Sequence, residues 1–118
     1  MKKIIAIEEM AMFILAIFAF SKLSFHWWVF AVLLLVPDLS MLAYLAGPKV
    51  GAWFYNIVHH KSIAILIFLI GFYQQLPLLQ LSGIILFAHS CMDRALGYGL
   101  KYGDAFNHTH LGLIGKNK

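Results

Sequence analysis

Residues 49–73, KVGAWFYNIVHHKSIAILIFLIGFY, decide how this chain is read. The apolar run from Ser62 to Tyr73 is too short to cross a bilayer, which takes about 20 helical residues at 1.5 Å each. A span here must begin near Lys49, and its polar half carries Asn56, His59 and His60 into the membrane. Outward from it, punctuation is sparse: Ser21-Lys22-Leu23-Ser24, Gly47-Pro48 and Gln74-Gln75-Leu76-Pro77. These marks leave four apolar stretches at about 3–20, 25–45, 49–73 and 76–96, then a glycine-rich tail at 97–118. The expectation is all-α: an integral membrane four-helix bundle, one transmembrane domain over 1–118, with a short cytoplasmic C-terminal tail folding back.

Composition agrees. The 118 residues are 62% hydrophobic and 12% charged, with a mean hydropathy of +0.82. A soluble domain averages roughly 45–50% apolar and 25% charged, so lipid is the solvent that fits. Disorder, collagen and a secreted disulfide scaffold are excluded, the last because Cys91 stands alone. The net charge of +4 comes from scattered residues and not from a basic stripe with interleaved aromatics, so no nucleic-acid partner is expected, and anionic lipid headgroups are the counter-surface. Met1-Lys2-Lys3 starts like a secretory signal, yet Glu8 and Glu9 interrupt the apolar stretch, and the segment is expected to be retained.

With four spans, Lys2, Lys3, Lys49, Arg94, Lys101, Lys116 and Lys118 share one side, and Lys22 faces the other. The positive-inside rule then places both termini in the cytoplasm. Trp27, Trp28 and Tyr73 fall at the opposite interface, where amphipathic rings are favoured.

Ionisable groups deep in a bilayer cost on the order of 2.5–3.5 kcal/mol each and demand partners. Counting from the turns places Asp38 and His59 at roughly 14–18 Å from the Gly47 turn, and His59 and His89 at roughly 21–24 Å from the Gln75 turn. Three helices thus bring Asp38, His59 and His89 to one level. Asp93 follows His89 by four residues on the same helical stripe, and Glu8 enters from helix 1. Carboxylate plus imidazole on facing helices is a ligand set for a divalent metal ion such as zinc, iron or manganese. Tyr55 and Asn56 are placed to orient the ligands. Arg94, the lone arginine, neutralises surplus negative charge or holds an anionic group. His110 in the tail could cap the cavity. His60 and Lys61 are turned away from the His59 face, Lys61 to snorkel or to meet a carboxylate, and Cys91 points away from His89.

The strings PDLSMLAYLAGPKVGAWFYN with His59, AHSCMDRALGYGLKY and FNHTHLG resemble the DUF4260 family, small bacterial integral membrane proteins whose domain has no assigned function. The resemblance runs from about Glu8 to Gly115. Its pattern falls on Glu8, Asp38, Tyr44, Tyr55, Asn56, His59, His89, Asp93, Arg94, Tyr98, Gly99, Lys101, Thr109 and His110, and passes over His60 and His108. It implies a site and a bacterial inner (plasma) membrane, multi-pass, and no reaction. A looser similarity links Pro37-Asp38 and the histidines to small membrane-bound metal-dependent hydrolases.

The preferred expectation is a metal site of Asp38, His59, His89 and Asp93, with Glu8 and His110 as further ligands. A hydrolase built on it would act on a lipid-like substrate, with Asn56, Arg94 and Lys101 assisting and the two cations holding an anionic head. The same ligands suit a redox-active iron pair. The alternatives are a proton-coupled transporter or channel, which with four helices predicts a homo-oligomer around a pore, and a scaffold subunit whose polar groups only hold helices together.

Overall fold

The computed structural model describes residues 2–96, 108–109 and 112–113. In chain order these form α1 (Lys2–Ser21), α2 (Trp27–Leu33), a 3-10 helix (Val36–Ala46), α3 (Pro48–Val58), α4 (Lys61–Tyr73) and α5 (Pro77–Ala95). A short antiparallel ladder pairs β1 (His108–Thr109) with β2 (Gly112–Leu113). Helix dominates, as the composition requires. α1 and the run Trp27–Ala46 are each long and apolar enough to cross a membrane, and α3 with α4 makes a third such segment if the bent pair is one span.

Two expected helices are broken, each for a local reason. In the stretch 25–45, Pro37 brings no N–H to the carbonyl one turn earlier, and the α-helix cannot pass through it. The chain tightens instead: Asp38 N–H bonds to Leu35 O at 3.2 Å, an i to i−3 contact. In the stretch 49–73 the break is a single extended residue, His60, with φ −91° and ψ 119°. The two halves meet there at 43°.

The turns follow from their residues. Gly47, at φ 116°, joins the 3-10 helix to α3 in a conformation that an L side chain rarely adopts. Gln75, at φ 57°, closes α4, with Leu76 N–H on Gly71 O at 2.8 Å. Pro77 then opens α5 where its missing N–H costs nothing.

α5 is the centre of the molecule, with α1 and α4 packed along it, while α3 packs on the 3-10 helix. Ala16 and Phe20 of α1 meet Leu81, Ile84, Ile85 and Ala88 of α5, and Phe30 sets its edge against Phe20 at 5.2 Å. Small residues let α4 and α5 approach: a Cβ on Gly83 would lie 2.6 Å from Phe68 N and 2.7 Å from Ala64 O. The polarity is inverted relative to a soluble domain. Among the described residues the largest fully buried side chains are His59, His89, Cys91 and Ser90, while Trp27, Leu45 and many other large apolar residues are exposed.

Candidate metal centre

Four side chains from three elements converge. Asp38 lies in the first turn of the 3-10 helix, His59 caps the C-terminus of α3, and His89 and Asp93 are one turn apart on α5. One ligand atom from each lies within 4.8 Å of the others. His59, His89 and Asp93 are buried; the Asp38 side chain is 41% exposed and leaves the cluster open on one side.

The backbone decides which face each imidazole presents. Pro37 diverts Asp38 N–H to Leu35, so Leu34 O is left without its helical donor. His89 Nδ1 lies 2.5 Å from that carbonyl. A carbonyl only accepts, so Nδ1 carries a proton, and in the neutral ring the lone pair is then on Nε2. Nε2 then faces Asp38 Oδ1 at 3.0 Å and Asp93 Oδ1 at 3.5 Å. His59 repeats the arrangement: Nδ1 donates to Tyr55 O at 2.9 Å. Its Nε2 faces Asp93 Oδ2 at 3.3 Å and Asp38 Oδ1 at 3.9 Å, buried and without a hydrogen-bond partner among the described residues.

Two neutral imidazoles and two carboxylates aimed at one point repel unless protons or a metal ion stand among them. Two Asp carboxylates carry the charge that one divalent ion balances. Metal–ligand bonds of about 2.0–2.1 Å place the atoms of a tetrahedron about 3.3 Å apart; the four imidazole–carboxylate distances are 3.0–3.9 Å, counting both oxygens of Asp93, and one donor from each residue lies within 4.8 Å of the others. The donor set and its spacing therefore fit such an ion.

The surroundings hold the ligands in place. Tyr55 O–H donates to Asp93 Oδ2 at 2.8 Å, and its ring stacks on His59 at 3.8 Å. Arg94 Nη2 donates to His59 O at 3.0 Å, covering a carbonyl that the α3–α4 break exposes. Arg94 thus supports the backbone of a ligand, a role the sequence reading did not foresee. Asn56 is half-buried on α3 beside Tyr55.

Of the further candidates, Glu8 is exposed on α1 and is not among the four converging groups; its neighbour Glu9 is buried and bonds Lys61. Lys61 thus meets a carboxylate. His60 is exposed and Cys91 is buried, apart from the cluster. Lys101 and His110, and the folding back of the tail, lie outside the described residues.

Sequence reasoning missed the Leu34 carbonyl, for which Pro37 three residues later is the visible signal, and Ser40, whose buried Oγ has no partner among the described residues. No curated protein and no solved structure matches the chain. A family profile described as a domain of unknown function matches residues 2–114, in keeping with the motifs that surround Asp38, His59, His89 and Asp93. The chain belongs to the DUF4260 family.

Proposed function

We propose that this chain is a multi-pass inner-membrane protein with both termini in the cytoplasm, which binds one divalent metal ion through Asp38, His59, His89 and Asp93 and hydrolyses an ester or phosphoester of a lipid-like substrate. The observation that carries the reading is the pair of Nε2 atoms, each turned by a carbonyl on the other ring nitrogen and directed with two carboxylates at one point. An ion held this way supplies Lewis acidity and activates water. The chain's own groups do the rest. Tyr55 orients Asp93, Arg94 holds the His59 backbone, and the half-exposed Asp38 marks the side from which water and substrate enter.

Elemental analysis of detergent-purified protein, prepared without chelators, tests the centre. About one metal per chain is expected in the wild type, and less than about 0.2 in His59→Ala and His89→Ala. A wild-type value below about 0.2, unchanged by either substitution, overturns the metal centre. Proton flux in liposomes that Asp38→Asn abolishes, in such metal-free protein, would replace it with the relay.

A further inference from the structure

The four converging residues are not held alike. His59, His89 and Asp93 each have a second bond that fixes their direction. Nδ1 of His59 donates to Tyr55 O at 2.9 Å, Nδ1 of His89 lies 2.5 Å from Leu34 O, and Asp93 Oδ2 accepts from Tyr55 O–H at 2.8 Å. The Asp38 carboxylate has no such bond among the described residues. Its contacts, Oδ1 to His89 Nε2 at 3.0 Å and to His59 Nε2 at 3.9 Å, are to the two nitrogens that would turn to an ion. Asp93 presents both oxygens to the cluster, Oδ2 to His59 and Oδ1 to His89, whereas Asp38 presents one. Burial divides the set in the same way: the side chains of His59 and His89 are 0% exposed, that of Asp93 10% and that of Asp38 41%. Three ligands are set in the fold, and the fourth is tethered only through its backbone.

We infer that Asp38 is an exchangeable ligand, which gives up its place on the ion to an anionic oxygen of the substrate while His59, His89 and Asp93 stay. The inference rests on the metal centre proposed above, and it selects between the two substrates named there: a phosphoester and not a neutral carboxylic ester. Charge decides the selection. Two carboxylates neutralise a divalent ion, so when Asp38 turns outward the remaining three ligands leave one positive charge among buried side chains. Net charge held away from water is costly. A phosphoester oxygen brings the negative charge that removes it, and a carboxylic ester brings none. The vacated position lies on the exposed side, so the incoming group reaches it without displacing a buried side chain. Three protein ligands and one open position is also the arrangement that catalytic sites keep.

Cobalt(II) tests the exchange, because its visible absorption reports the number and kind of its ligands. Detergent-purified protein is stripped with a chelator, loaded with cobalt(II), and titrated with dimethyl phosphate or with methyl acetate as the neutral counterpart. Dimethyl phosphate is expected to change the wild-type spectrum and methyl acetate to leave it alone. Asp38→Ala should retain cobalt, with affinity against a competing chelator reduced no more than about tenfold, and should bind dimethyl phosphate at least about tenfold more tightly because the internal competitor is gone. Asp93→Ala should lose at least about a hundredfold in cobalt affinity. The failures separate. Wild-type protein that takes up less than about 0.2 cobalt per chain overturns the metal centre itself. Protein that binds cobalt yet gives no spectral response to dimethyl phosphate, responds equally to methyl acetate, or loses as much affinity through Asp38→Ala as through Asp93→Ala overturns exchange at Asp38 and leaves the centre standing. The wild-type titration needs no variant, so a substitution that fails to fold leaves the test intact.

Discussion

His59 and His89 use their Nδ1–H groups on the carbonyls of Tyr55 and Leu34, and this turns both Nε2 atoms toward Asp38 and Asp93. Tyr55 contributes twice, through its carbonyl to His59 and through its hydroxyl to Asp93. Removing only the hydroxyl isolates the second contribution. Tyr55→Phe keeps the ring stacked on His59 and is expected to weaken metal binding about 10- to 100-fold, as loss of an orienting partner does elsewhere. Competition against a chelator of known affinity measures it. Affinity equal to wild type would mean that Asp93 is oriented by something else.

Pro37 links element to site. Its missing N–H converts a span from α to 3-10, and that conversion delivers both the free Leu34 carbonyl and the placement of Asp38. Pro37→Ala restores the lost donor, and the segment is expected to wind as α-helix. Helix content should rise by circular dichroism while metal affinity falls at least about tenfold, because Leu34 O returns to its helix and Asp38 turns off the cluster. Unchanged affinity with increased helicity would dissociate the two. The four converging residues were legible because helical distance counted from the turns brings them to one level, and the 3-10 rise shifts Asp38 by only about 4.5 Å over the nine residues to Gly47. What escaped was the part that letters do not carry. Leu34 acts through its backbone, and the break at His60 has neither proline nor glycine to announce it. α1 is apolar on nearly every side, so its sequence did not say that Glu9 and not Glu8 turns inward.

At the scale of the molecule, the part-buried Glu9–Lys61 pair ties α1 to the start of α4, two residues along the chain from His59. Glu9→Gln leaves the Lys61 ammonium, only 24% exposed, without its counter-charge. The expected loss is about 3 kcal/mol of stability, read as a lower unfolding temperature in detergent. Replacing both with leucine should recover most of it, since a well-packed apolar pair replaces a buried ion pair at little cost. Metal content should be unchanged in both variants, and a fall in either would show that α1 supports the centre.

The winding of Val36–Ala46 has one more consequence. At three residues per turn a helix rises about 2.0 Å per residue, so these 11 residues extend about 5 Å beyond an α-helical equivalent. A small protein gains thickness this way without adding length to its chain. The same winding stacks residues three apart into columns, so Asp38 and Tyr44 meet the cluster and α3 from one column while Pro37, Ser40 and Ala43 line an apolar groove from the next.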